Sequence, residues 1–360
     1  MHIYGRGAAA LSKLRSSGVL FFLLLTGCAT AGLHKDAGYD AGTAGFAAKN
    51  APSFSYRMLE TMVKMSGYKK IYASDADTLK VRAQKINDGK AHVPPKNFYR
   101  RFAVTEETVH GRPVFFIAPK QNARTDAAVF FLHGGGFMLG IDSWHWNTIE
   151  RIVDELSVPV CAPLYPVYPE TNPDTIIAFV SESFSRLCDA YPEARLTGLG
   201  DSSGAYLLLS FCHYLAETNA PPAGPRFPDQ LICVSPAQLV GIDAATLAQM
   251  KAIDKKDVLI SMGILKNLPL MFNLRDDDLN WFSAPLLGDF SSFPPITVFS
   301  GTHEIFYPLM PPFAERARAQ GASIDLYTGD GMMHSWPFMS VASESKQAMD
   351  VILDIIDGKR

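Results

Sequence analysis

The sequence predicts an α/β fold in which a mostly parallel sheet is flanked by helices, and three observations carry that expectation. Apolar runs of buried-strand length recur along the chain, at Ala127 to Leu132, Ala194 to Leu199 and Ile296 to Ser300. The first two open into glycine-rich turns, His133-Gly134-Gly135-Gly136 and Gly200-Asp201-Ser202-Ser203-Gly204, and a helix-like start, Ala205 to Leu209, follows the second. The chain has 360 residues, 48% of them hydrophobic, enough for one large core plus a small cap and without any internal repeat.

Taken in chain order, residues 1–27 have the layout of an export signal: Arg6, Lys13 and Arg15, the apolar run Val19 to Leu25, then Thr26-Gly27-Cys28. The run is too short to remain as a bilayer span. Leu25-Thr26-Gly27-Cys28 resembles the bacterial lipobox, which implies cleavage before Cys28 and a diacylglycerol on its thiol. With Ala29 rather than an aspartate next, the same resemblance implies an outer-membrane anchor in the cell envelope. Loss of the three cations would take the formal charge from −3 to −6. Residues 28–51, rich in Gly and Ala, read as a flexible spacer. Within residues 52–96, Phe54, Met58, Met62 and Met65 share one helical face, set either against the core or against a bound acyl group.

The glycine turns carry chemistry. A serine hydroxyl is a weak nucleophile at neutral pH, so it must be held on a sharp turn, paired with a base and faced with donors for the developing oxyanion. Gly200-x-Ser202-x-Gly204 between a strand and a helix provides the turn. After Ala127 to Leu132, backbone amides of Gly135 and Gly136 can approach a carbonyl without a Cβ in the way, and with the Ser203 amide they are the expected oxyanion donors. His133 reads as structural. On this chain order the base falls late. His334 lies there, after the strand-like Ser323 to Tyr327 and before a closing helix, Ala342 to Ile356. The acid belongs just past Ile296 to Ser300, where Glu304 is the first carboxylate, with Asp330 as the substitute and His303 as a neighbour without a role.

Together these motifs resemble the hormone-sensitive-lipase-like esterases of the α/β-hydrolase fold, the bacterial family IV. That group shares HGGG, G-D-S-x-G and a late acid–histidine pair. The resemblance runs from about Asn97 to the C-terminus and includes Tyr165-Pro166-Val167-Tyr168-Pro169-Glu170, Asp257-Val258-Leu259 and Gly331-Met332-Met333-His334. It implies a catalytic domain over 97–360, with a second cap segment at 237–281 completing a helical cap begun by an N-terminal cap region over 52–96. It also implies a serine carboxylesterase for short- to medium-chain acyl esters, with Ser202, His334 and Glu304 as the triad, a small-molecule ester as partner and no cofactor. Members of the group often pair, which extends the expectation to a homodimer. The chain departs from the pattern in having Glu304 where aspartate is usual, and Ser203 where alanine is frequent after the nucleophile. An amidase or deacetylase using the same triad, and a non-catalytic binding protein on the same fold, stay open as readings.

A net charge of −3 without a basic cluster gives no footprint for nucleic acid. Cys161, Cys188, Cys212 and Cys233 show neither a disulfide framework nor a metal-ligand spacing and read as small buried hydrophobes.

Overall fold

The computed structural model describes residues 43–46 (backbone), 52–89, 92–169, 172–218, 226–275, 277 and 279–360; Cys28 and the export-signal residues lie outside the described residues. The strands are β1 (Thr43–Phe46), β2 (Phe102–Val109), β3 (Arg112–Pro119), β4 (Ala127–Leu132), β5 (Val160–Pro163), β6 (Arg195–Asp201), β7 (Gln230–Val234), β8 (Ile296–Gly301) and β9 (Ile324–Gly329). They form one sheet in the order β1-β9-β8-β7-β6-β4-β5-β3-β2. Every pairing is parallel except those of β3, which runs antiparallel to both β2 and β5.

β4 shows why the sheet needs two helical layers. All six of its residues, Ala-Ala-Val-Phe-Phe-Leu, are buried, so neither face is left to water. Successive side chains take opposite faces. Phe130 meets Phe184 and Phe211 on one side, at ring centroid distances of 5.2 and 6.5 Å, while Phe131 stacks on Phe338 at 5.8 Å on the other. The helices are α1 (Phe54–Ser66), α2 (Tyr68–Tyr72), α3 (Ala76–Asp88), α4 (Lys96–Arg101), α5 (Ser143–Leu156), α6 (Pro173–Ala190), α7 (Ser203–Thr218), α8 (Ala244–Ile253), α9 (Ile264–Phe272), α10 (Met310–Ala319) and α11 (Ser343–Ile356). α6, α7 and α10 pack with the Phe130 face, and α5 and α11 with the Phe131 face.

Two features differ from the sequence reading. Thr43–Phe46 fall inside the stretch read as a flexible spacer, yet pair in register with Leu326 to Gly329 as a parallel edge strand. The outer edge of β9 would otherwise present unpaired N–H and C=O groups, and Thr43 and Phe46 suit a strand. The second concerns α1, whose buried residues are Tyr56, Leu59 and Val63, while Phe54, Met58 and Met65 face solvent. The methionine stripe is therefore on the outside of the helix, and it is not core.

The two segments expected to form a cap are tied to each other. Lys69 Nζ, following α1, donates to the carbonyl oxygens of Asp254 and, at 2.7 Å, Asp257, while Asn267 Nδ2 donates to Ser74 O at 2.6 Å.

Candidate active site

Ser202 sits between the end of β6 and the start of α7 with φ of +51°, a left-handed conformation that costs a residue with a Cβ and persists only where its surroundings enforce it. Its N–H donates to Val234 O at 2.8 Å, which fixes the turn against β7. Gly204 lets the turn close. A Cβ there would stand 2.0 Å from Leu132 O, so α7 rests directly on the end of β4 only because position 204 has no side chain.

The structure brings Ser202, His334 and Glu304 together. Ser202 Oγ lies 2.7 Å from His334 Nε2, and His334 Nδ1 lies 2.7 Å from Glu304 Oε2. Glu304 is wholly buried, and its other oxygen accepts from the Ser300 hydroxyl and, at 3.1 Å, from Gly301 N. The loops bearing the acid and the histidine are stitched backbone to backbone, Thr302 N to Gly329 O at 2.9 Å and His303 N to Met332 O at 3.0 Å. Asp330, the substitute acid, is exposed and accepts from Thr302 Oγ1 at 3.1 Å, away from His334. Burial pushes the His334 imidazole down, but the hydrogen bond and charge of Glu304, with the charges of Asp257 and Asp201, outweigh it and hold the group above its ordinary range.

Asp257 belongs to this arrangement, which the sequence reading did not foresee. It is buried, and its carboxylate accepts from Leu259 N at 2.9 Å and Ile260 N at 2.8 Å on one oxygen and from Ile305 N at 2.9 Å on the other. It thus joins the second cap segment to the residue after Glu304. Desolvation raises its pKa to about 6 against the lowering effect of His334 and the three amides.

Asp201 is a third buried carboxylate, with partners far apart in sequence. Oδ1 accepts from Gly134 N at 2.8 Å and from His145 Nε2 at 3.1 Å, and Oδ2 accepts from Ser335 Oγ at 3.0 Å. One side chain therefore couples the glycine turn, the serine turn and the residue after His334. Burial disfavours charge on His145, yet Asp201 and Asp142 on either side of the ring raise its pKa to about 10. Asp201 itself is raised by burial but lowered further by His145 and Ser335, and it remains ionised. His133 stacks on Tyr165 with centroids 4.3 Å apart and is held neutral, its pKa pushed down to about 3 by burial and by His145.

Gly134 N is engaged by Asp201. Gly135 lines the cavity, with φ of +126° and its carbonyl accepting from Met138 N and Leu139 N at 3.1 and 3.0 Å. Gly136 packs near Tyr72 of α2, and Ser203 opens α7, where first-turn N–H groups have no intrahelical partner. A Cβ on Gly135 would lie 2.3 Å from Leu139 O in a conformation that side chains rarely adopt. Gly135→Ala should therefore displace the turn, cost about a hundredfold or more in kcat and lower Tm; steady-state kinetics beside a thermal melt check both.

Ser202 opens into a cavity of about 300 Å³. Its walls are mainly apolar: Leu59, Met62 and Val63 from α1, Tyr68 and Tyr72 from α2, Leu259 and Ile260 from the second cap segment. Of the methionine stripe, Met62 alone lines it.

Comparisons with known proteins bear on the fold and the family. A family model described as the alpha/beta hydrolase fold matches residues 129–338, more than half of the chain. An acetyl-hydrolase of Streptomyces hygroscopicus is 24% identical over 73% of this chain and 83% of its own. An esterase of Acinetobacter venetianus is 26% identical over 64% of this chain and 74% of its own. Among solved structures, a hormone-sensitive lipase from a metagenome library superposes with a TM-score of 0.66 at 18% identity, covering 84% of this chain and 98% of that one, a likeness of fold. The chain belongs to the α/β-hydrolase family, in the branch of the hormone-sensitive-lipase-like esterases.

Proposed function

We propose that the chain is a serine carboxylesterase for short- to medium-chain acyl esters. The observation that carries this reading is the hydrogen-bond chain from Ser202 through His334 to Glu304, opening at Ser202 into an apolar cavity. His334 takes the Ser202 proton as Oγ bonds to the ester carbonyl carbon, and the amides of Gly135, Gly136 and Ser203 receive the oxyanion. The imidazolium, steadied by Glu304, then gives its proton to the departing alcohol as the C–O bond breaks. Water, deprotonated by His334, attacks the acyl-enzyme, and Ser202 regains its proton as the acid leaves. Ester rather than amide is favoured by the name of one relative, an esterase. The sequence around Cys28 supports a further part of the proposal, that a lipid anchor on that residue holds the enzyme at the cell envelope.

A cavity of about 300 Å³ lies at the small end of ligand pockets. Along a p-nitrophenyl ester series from acetate to palmitate, kcat/KM should peak at short to medium chains and fall steeply once the acyl group outgrows the cavity. A maximum at palmitate, or turnover of the anilide alone, would overturn the reading.

Neutral His334 is the reactive form, so kcat/KM should rise with pH through an acid limb lying above the ordinary histidine value of 6.5. The charge of Asp257 favours the imidazolium. Asp257→Asn should therefore move that limb to lower pH, and it should also slow turnover, because an amide NH2 cannot accept from Ile305 N. A pH profile of the two proteins measures the displacement; an unmoved limb would remove Asp257 from the electrostatics of the base.

A further inference from the structure

α1 has two apolar faces, and the described structure accounts for one. Tyr56, Leu59 and Val63 are buried against the body. Phe54, Met58, Met62 and Met65 fall within about 80° of one another around the opposite side and are 64, 49, 51 and 81% exposed. Scattered surface apolar residues need no explanation, but four large ones in a continuous stripe mark a surface that meets something apolar. Met62 belongs both to the stripe and to the wall of the cavity, so whatever covers α1 adjoins the reacting serine's pocket.

Charge selects the occupant. Between Phe54 and Tyr72 stand Arg57, Lys64, Lys69 and Lys70 against Glu60; with Lys69 paired to Asp254 at 3.5 Å, the local excess is +2 on a chain whose net charge is −3. Arg57 and Lys64 are exposed and lie along one margin of the stripe. An apolar stripe edged by cations is the pattern of a helix that lies flat in the headgroup region of an anionic membrane. A second copy packed antiparallel on the stripe is disfavoured, because that pairing sets each copy's cation margin against its partner's. Among the described residues no helix is long and apolar enough to cross a membrane, so contact through α1 would be peripheral.

We infer that α1 is a membrane-docking face, seating the cavity mouth at Met62 against an anionic lipid surface. The inference is independent of the esterase reading and of acylation at Cys28.

The test uses the full chain with Cys28→Ser, which removes acylation, and Cys188→Ser, which removes the half-buried thiol. An environment-sensitive fluorophore is placed at Met65→Cys or, as control, at exposed Glu106→Cys on β2. Vesicles are phosphatidylcholine alone or with one quarter phosphatidylglycerol, each doped with a brominated quencher lipid. Circular dichroism reports the fold of every variant, without reliance on activity. The label at position 65 should shift to the blue and be quenched on anionic vesicles, the control label should not, and Arg57→Glu with Lys64→Glu should cut the quenching several-fold. Equal responses at both positions, or none at position 65, would overturn the inference. So would a blue shift that grows with protein concentration in the absence of vesicles, which would mean that a second copy covers the stripe.

Discussion

Ser202→Ala is expected to abolish ester hydrolysis, with a loss in kcat on the order of 10⁵-fold or more, as for nucleophile deletions in triad enzymes. The fold should survive. Ser202 is only partly buried, its Oγ bonds to His334, and the backbone contact that fixes its turn, N–H to Val234 O, does not involve the side chain. Alanine accepts the positive φ of +51° no worse than serine, so the strain of the turn is unchanged. The variant should melt within a few degrees of the parent and fail to react with a fluorophosphonate probe that labels the parent one to one. Near-normal turnover by a well-folded alanine variant would remove Ser202 from the chemistry and, with it, the acyl-enzyme.

How much of this was legible in the sequence depends on how local the signal was. β4 matches the apolar run Ala127 to Leu132 residue for residue, and β6 and β8 lie within two residues of the runs read as strands, because strands buried on both faces must be largely apolar along their length; β9 and α11, each with one exposed face, also lie within two residues of the segments read as strand and closing helix. Ser202 and His334 were expected to meet from motif and chain order, and they stand 2.7 Å apart. The β2–β3 hairpin went unread; its turn, His110-Gly111, has positive φ at both residues but lacks the Asn-Gly signature of such turns. The orientation of α1 stayed open between core and ligand because it has two apolar faces, and periodicity alone does not say which is inward. The buried carboxylates were out of reach for a different reason. Asp201 finds Gly134, His145 and Ser335 at separations of 67, 56 and 134 residues, and Asp257 finds Ile305 across 48. No spacing rule covers pairings that only the assembled sheet creates.

The acid is where sequence left two candidates and geometry separates them, so paired substitutions decide the matter in solution. Glu304→Gln should lower kcat by about 10³- to 10⁴-fold, the range found when a triad acid is made neutral without change of shape. The amide keeps the volume of the buried side chain, but it presents an NH2 or a neutral oxygen to His334 Nδ1 in place of a carboxylate, so the imidazolium formed during attack loses its counter-charge. Its other oxygen position faces the Ser300 hydroxyl and Gly301 N, both donors, which favours placing the amide oxygen there and the NH2 toward the histidine. That orientation compels His334 to accept at Nδ1 and carry its proton on Nε2, the wrong tautomer for a base. Asp330→Asn, by contrast, alters an exposed side chain bonded to Thr302 and should leave kcat within about twofold of the parent. Burst kinetics with p-nitrophenyl acetate would show whether acylation is the step that fails. If Asp330→Asn proved the crippling change and Glu304→Gln the silent one, the triad drawn through Glu304 would be wrong, and with it the account of why His334 holds its proton above the ordinary histidine range.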